Sequence, residues 1–536
     1  MPLRGREGPE GSPDGISQSK PAPHPRLGRS CYCENQSVEG IGSSLTVPNT
    51  ARRRVVVVGG GISGLAAAYR LARAREAGAP VEEFLIEASG RLGGVIRTEK
   101  FGGFVIEGGP DSFLTEKPEA AALCRELGLG GELLGSNDRD RRTYILHRGR
   151  LVPLPDGLFL LVPTRLWPMV WTRVLPLGSK VAALREFFRR PHPSDGSADE
   201  SVAAFVSRHF GQAMVENIVD PLLAGVYGGD SEALSAPAVL ARFWAMEKQT
   251  GSLTRAVLAA HRARPRDKPA PPLFTTPEGG LEGMVRALAA RLASERFLLN
   301  RKVLALERRP ARAGERPWTV RMNEGAALEA DGVVLALPAY ETAELVAGFD
   351  AKLASLLSGI PYSSAVTVAL GYDTNEVRLP PGFGFLVPHR EGRRLLAATF
   401  VHAKFPRRAP PGRALIRAFL GGTRDAEIAD ASENEIVAMV LGELGEILGL
   451  RSKPLFQRVY RSPRAMAQSN VGHLERLRGI EERLAEHQGL TLAGNAYSGI
   501  GISDCIRTGE AAAKRAVAQA AEGRPVPEPV AGSSAS

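Results

Sequence analysis

The sequence predicts an α/β fold with a discontinuous parallel-sheet domain, and three observations carry that prediction. A β-branched run, Arg54-Val-Val-Val-Val58, leads into a glycine turn and an alanine-rich helical pattern reaching Tyr69. A second apolar run, Glu83-Phe-Leu-Ile86, follows one helix length later and ends at Glu87. Alternating helix and strand patterns then return far downstream, near 275–345 and 488–519.

The glycine turn comes first. Gly59, Gly61 and Gly64 keep the Gly-x-Gly-x-x-Gly spacing, in which the first glycine permits a tight turn, the second lets backbone approach a pyrophosphate, and the third lets helix pack on strand. With Gly60, Ile62 and Ser63 they place a diphosphate against free N–H groups at the positive end of a helix dipole. Glu87 lies twenty-three residues beyond Gly64, near the ~20-residue separation of the acid that accepts a ribose hydroxyl. Such a strand–turn–helix–strand unit binds a dinucleotide.

Composition bounds the rest. The 536 residues leave room for two or three domains, and 43% hydrophobic with 24% charged residues is the balance of a soluble globular chain. The net charge of +10 favours an anionic partner, yet the basic residues are scattered, and no nucleic-acid site is expected. Cys31, Cys33, Cys124 and Cys505 show no metal spacing and no disulfide framework, so a reducing cytoplasm and no metal are expected. Residues 1–51 are rich in Gly, Pro and Ser without a signal-peptide core, and with the tail 520–536 they read as disordered extensions.

Between the tails, the unit from Arg52 runs to about residue 115, and residues 116–270 read as mostly helical, over Pro118–Leu127, Leu177–Arg189, Ser201–Phe210 and Ala236–Ala263. Within them Leu158–Phe188 interleaves aromatic residues with Arg165, Arg173, Lys180 and Arg185 and is interrupted by three prolines. It is too broken for the ~20 apolar residues of a membrane span; its composition suits a peripheral contact with the inner face of the cell membrane, but ordinary helices covering a core or an apolar substrate are the favoured reading. The polar connector Arg262–Pro272 reads as solvated. A helix from Gly280 to Leu292, strands at Phe297–Leu306 and Trp318–Met322, and a buried strand in Asp331–Pro338 follow. Residues 346–487 hold several strands and a helix over Glu433–Leu448. The last unit is a strand from Leu490, a glycine-containing loop and a helix over about Thr508–Gln519.

Two further segments narrow the dinucleotide. After Glu87 comes Arg91-Leu-Gly93-Gly94-Val95, where paired glycines admit close backbone approach and Arg91 can fork onto phosphate or ribose oxygens. Before the final helix stands Gly494-Asn495-Ala-Tyr-Ser-Gly-Ile500-Gly501-Ile502, which aims a helix N-terminus where a reduced flavin would carry negative charge. A cofactor touched by such distant segments is FAD rather than NAD.

The motifs together resemble the flavin amine oxidase superfamily and, within it, the FAD-dependent protoporphyrinogen and coproporphyrinogen oxidases of haem biosynthesis. The matching residues are Gly59–Gly64, Arg91–Gly94, Glu107-Gly-Gly-Pro-Asp-Ser-Phe113, Asp220-Pro-Leu-Leu-Ala-Gly-Val-Tyr-Gly-Gly-Asp230, Gly279-Gly-Leu281, Gly382-Phe-Gly-Phe-Leu-Val-Pro388 and Gly494–Cys505. The resemblance implies a discontinuous Rossmann-like FAD-binding domain (52–115, 275–345 and 488–519), a helical subdomain (116–270), for which membrane contact is one of the two readings above, and a β-sheet substrate domain (346–487). It implies three-step oxidation of a porphyrinogen, with O2 as acceptor and H2O2 as by-product. By the same resemblance, Gly109, Pro110, Asp111, Ser112, Val303, Asn495, Ile500, Gly501 and Ile502 join the glycine turn, Glu87, Arg91 and Gly93–Val95 around FAD. Lys117 would meet a substrate carboxylate or stand as a surface lysine at a helix start, Phe400 would meet a pyrrole ring or be a core aromatic on its strand, and Phe385 and Leu386 would form cavity wall. Thr143 stands where plant relatives carry an arginine, so carboxylate recognition falls to Lys117 or another base.

No acid–base residue is required, because aromatisation drives the reaction and positioning supplies the catalysis. A homodimer is compatible with the family. An amine oxidase that tethers its flavin through a cysteine fits less well, since the last motif has no cysteine until Cys505. A carotenoid desaturase would leave Gly382–Pro388 unexplained, and a non-enzymatic flavin-binding protein is the remaining alternative. Between the two porphyrinogens, the carboxy-terminal motif resembles enzymes using either, and protoporphyrinogen IX is favoured by a small margin.

Overall fold

Val55 to Val58 are all buried because both faces of their sheet are covered. In the computed structural model, which describes residues 52–155, 158–159, 162–163, 171–191, 199–263, 271–309 and 315–522, the strand Arg53–Val58 lies at the centre of a five-stranded sheet. It pairs in parallel with Val81–Ile86 on one side and Gly332–Leu335 on the other. Phe297–Leu298 and Leu490–Leu492 complete the edges, also in parallel. Side chains alternate across a strand. Val55 and Val57 accordingly pack with the helix Ile62–Glu76 and the closing helix Ile502–Glu522, whereas Val56 and Val58 pack with Trp318, Val320 and the helices Ala339–Val346 and Ala351–Ser358. Burial on both faces is what a parallel sheet needs, and it explains the unbroken valine run.

A second sheet has seven strands. From one edge to the other they are Phe456–Ala467, Tyr362–Asp373, Arg413–Gly422, Ala397–Phe400, Gly384–Leu386, Thr143–His147 and Arg150–Pro153. All pairings are antiparallel except that of Gly384–Leu386 with Thr143–His147. The helix Glu433–Leu448, which opens on a Ser432–Glu435 capping box, covers one face with Ile436, Val440 and Leu444.

Several sequence expectations need correction. Residues 143–153 sit in a stretch read as mostly helical, yet they form two strands, held by the long-range pairing to Gly384–Leu386 that no local pattern encodes. The pattern over Ala236–Ala263 is three helices, Ala236–Val239, Ala241–Thr250 and Leu253–Arg262. The break at Gly251 has φ +73°, and Ser252 caps the next helix by accepting the Arg255 N–H. Phe297–Leu306 divides into Phe297–Leu298 and a separate strand, Val303–Arg308. The closing helix begins at Ile502, six residues before the expected start. The extensions 1–51 and 523–536, most of the connector 262–272, and Arg165 with its aromatic neighbours lie outside the described residues.

Candidate functional site

The turn after Val58 shows why glycine stands where it does. Gly59 has φ +107°, and a Cβ there would lie 2.5 Å from the Ala336 carbonyl oxygen. A Cβ at Gly64 would lie 1.9 Å from the Gly59 oxygen, so the third glycine lets the helix close on the turn. Gly61 differs: nothing lies within 4 Å of a Cβ placed there. Gly61 is the N-cap and makes no side-chain cap bond, so this end of a fifteen-residue helix opens on a cavity with its first N–H groups uncapped. At the end of the second strand, Glu87 Oε2 accepts the Gly60 N–H at 2.7 Å, and Oε1 accepts the Ser89 N–H and hydroxyl.

The cavity measures about 1910 Å³ and runs from the glycine turn to the seven-stranded sheet. Single-ligand pockets measure roughly 300–1,000 Å³, so this one has room for an extended dinucleotide and a large second molecule together. Gly59, Gly61, Ile62, Ser63 and Glu87 line it, with Gly93, Gly94, Val95 and Val303. Gly109, Pro110, Asp111, Ser112, Asn495, Ile500, Gly501 and Ile502 also face it, as do Lys117, Phe385, Leu386 and Thr143. Segments from 59 to 502 thus meet on one space, and the residues present fit an FAD: an open helix end, an acceptor at Glu87, and close-approach backbone at 93–94 and 499–502.

Four of the expected residues do not line the cavity. Gly60 and Gly64 serve the turn itself. The Arg91 guanidinium donates to the carbonyls of Leu92, Gly94 and Ile96 and so holds the paired-glycine loop in shape. Phe400 is a core residue, 1% exposed, whose ring packs 6.3 Å from that of Phe385 and among Val366, Leu370 and Ile416. An aromatic residue on a strand faces one of two sides, and here the inner side is the core rather than the cavity.

Lys117 lines the cavity with its ammonium 2.5 Å from Asp504 Oδ2. Asp504 also meets Arg507 at 3.1 Å, and Arg507 lies 3.7 Å from Glu119, so this corner holds two charges of each sign. The Asp220–Asp230 segment is clasped at both ends by Arg424, 2.7 Å from Asp220 and 2.6 Å from Asp230, which brings Tyr227 and Gly228 to the cavity. Sequence reasoning missed Lys404 and Arg417, both buried on the wall beside Asp111. Nothing local marks them: Arg407, Arg408 and Arg413 stand nearby in the chain, and only the tertiary fold singles out Lys404 and Arg417 by bringing them to Asp111.

The family model for flavin containing amine oxidoreductases matches residues 62–517. Coproporphyrinogen III oxidase of Bacillus subtilis (strain 168) is 33% identical over 475 residues, spanning 87% of this chain and 98% of that protein. Chloroplastic protoporphyrinogen oxidase 1 of Arabidopsis thaliana is 29% identical over 495 residues, 88% of each chain. Among solved structures, a protein of Exiguobacterium sp. 255-15 with a provisional protoporphyrinogen oxidase assignment superposes with a TM-score of 0.75 at 30% identity, over 87% of this chain and 99% of that one.

Proposed function

We infer the function from one premise: the chain belongs to the flavin containing amine oxidoreductase family. It is an FAD-dependent oxidase, and we read it as a porphyrinogen oxidase of haem biosynthesis that uses O2 and releases H2O2. The observation that carries the reading is the cavity of about 1910 Å³, with an open helix end at Gly61 and an aromatic sheet wall at Phe385 and Phe419. The sequence alone favours protoporphyrinogen IX by a small margin. The likeness to a coproporphyrinogen III oxidase over 98% of its length tilts further the other way, and we favour coproporphyrinogen III.

An FAD held here would supply the hydride acceptor for the three oxidations. The protein's part is positional: the first turn at Gly61 would face the pyrophosphate, Glu87 would accept a ribose hydroxyl, and Arg91 keeps the 91–96 loop in place. Phe385, Leu386 and Phe419 line the cavity and would exclude water from the macrocycle and orient it for reaction. Residues 52–115, 275–345 and 488–519 form the FAD-binding part in this reading, 346–487 the substrate part and 116–270 the helical part.

The helical part supports a peripheral membrane contact. Along Leu177–Glu186 and just past it, Leu177, Val181, Leu184 and Phe188 are exposed at helical spacing, Leu177 by 76% and Phe188 by 71%. Arg173, Lys180 and Arg185 stand around them, a mixture suited to an anionic headgroup layer. Among the described residues no helix is long and apolar enough to cross a membrane.

Rates of porphyrin fluorescence increase with coproporphyrinogen III and protoporphyrinogen IX test the function. Faster coproporphyrinogen turnover with oxygen uptake is the expected result. Absence of turnover with both would overturn the reading, and a faster rate with protoporphyrinogen IX would reverse the choice.

A further inference from the structure

Five charged side chains cluster beside the cavity, four of them buried and Asp111 half-buried, and they do not balance. Behind the wall, Arg408 Nη1 donates to Glu107 Oε1 at 3.0 Å; both side chains are almost wholly enclosed, and Glu107 also accepts the Thr98 hydroxyl and the Leu281 N–H. That pair is matched. On the wall itself, Lys404 Nζ lies 3.1 and 3.3 Å from the two oxygens of Asp111, and Arg417 Nη1 lies 3.6 Å from Asp111 Oδ2. Two cations therefore share one carboxylate. Asp111, Lys404 and Arg417 line the cavity, whereas Glu107 and Arg408 do not.

Arg417 is also under-used. Its side chain is 1% exposed, Nη2 donates to the Gly109 oxygen at 2.6 Å, and Nε has no hydrogen-bond partner. Lys404 is held over the Phe274 ring at 4.1 Å. Burial presses both cations below their usual ranges, with Asp111 opposing it. Burial likewise works to raise the Asp111 carboxyl, but Lys404 and Arg417 hold it well below the carboxylate range. A buried excess cation is costly unless an anion is brought to it. The corner at Lys117 lacks this excess, because Arg507, Asp504 and Glu119 balance it and Lys117 is 45% exposed.

We propose that Lys404 and Arg417, sharing Asp111, seat one propionate carboxylate of the porphyrinogen. The proposal rests on the substrate class inferred above. Arg417 rises from the seven-stranded sheet, where its partner Thr399 and the nearby Thr367, Phe385 and Phe419 also line the cavity; the glycine turn belongs to the other sheet. An incoming carboxylate supplies the missing negative charge and an acceptor for the unused guanidinium edge.

The test compares wild-type holoenzyme with Lys404→Met, using coproporphyrin III as the free tetra-acid, its tetramethyl ester, and the FAD midpoint potential. In Lys404→Met the dissociation constant of the tetra-acid is expected to rise about 10-fold or more, that of the ester to stay within about twofold, and the potential to hold. KM for the porphyrinogen should rise more than kcat falls, and Lys404→Arg should recover part of the tetra-acid affinity. Equal weakening of acid and ester would overturn the proposal, as would unchanged acid binding with a lowered potential, which would assign the charge to the cofactor. Should Lys404→Met fail to retain FAD, Lys404→Gln takes its place in the same acid-to-ester comparison: selective loss of the acid supports the proposal, and equal loss of both overturns it. A wild-type enzyme inactive on both porphyrinogens would overturn the function instead, a result distinct from all of these.

Discussion

Gly509 of the closing helix lies against Ser63 of the glycine-turn helix so closely that a Cβ on Gly509 would stand 2.1 Å from the Ser63 carbonyl oxygen. The two helices meet backbone to backbone, which presses the last helix of the chain onto the first. Gly509→Ala must push them apart. Overpacking of this kind costs about 1–3 kcal/mol. Because the uncapped end of the Ile62–Glu76 helix faces the cavity, the displacement should reach the cofactor too. A lower melting temperature and a reduced ratio of flavin to protein absorbance are expected, and a variant with unchanged flavin content would show that the helices separate without moving the turn.

Arg91 braces the paired-glycine loop from within. Arg91→Ala removes hydrogen bonds to the carbonyls of Leu92, Gly94 and Ile96, so the glycine pair loses its brace. The dissociation constant of FAD, measured by flavin fluorescence, should rise about 10-fold, a little over 1 kcal/mol, while KM for substrate at saturating FAD moves much less. A rise confined to KM would place the guanidinium on substrate instead of the cofactor loop.

Phe400 and Phe385 separate core from wall. Phe400→Ala leaves a cavity in a packed cluster and should cost about 3–5 kcal/mol in denaturant unfolding, with KM within about twofold of wild type. Phe385→Leu, on the cavity wall, should raise KM at a smaller stability cost. Reversal of the two patterns would return Phe400 to the substrate.

His473 gives the pH dependence a sign. It is 2% exposed at the start of the helix His473–Ala485, and burial, with the nearby Arg476, pushes it down to about 4. Its folded value therefore lies below the unfolded value of about 6.5, so the unfolded chain binds the proton first. The stabilisation is complete above pH 6.5 and is lost as pH falls toward 4, by about 2 kcal/mol between pH 6.5 and 5. His473→Gln should flatten that part of the stability profile; an unchanged slope would assign the acid sensitivity elsewhere.

What was legible in the sequence follows the range of the interactions. The glycine turn, Glu87 and the helix Glu433–Leu448 depend on residues within a few turns of one another, and their ends are written in turn and capping residues. The strand Thr143–His147 was hidden because its partner begins at Gly384. Phe400 and Arg91 carry the right residue types, but which side a strand residue faces and which oxygens a long guanidinium reaches depend on tertiary packing. Lys404 and Arg417 were hidden for the same reason: their meaning lies in one shared carboxylate, that of Asp111, far away along the chain.

The order of the central sheet also bears on how the protein is made. Its strands come from residues 53–58, 81–86, 297–298, 332–335 and 490–492, so the nucleotide cradle has its first wall at the start of synthesis and its last near the end. A growing chain on the ribosome cannot close that sheet until Leu492 and the helix after it have emerged. Until residues 332–335 emerge, the valine strand is paired only with Val81–Ile86, and its other edge must be kept from other chains. A complete flavin cradle therefore waits on Leu490–Leu492 and the helix that follows.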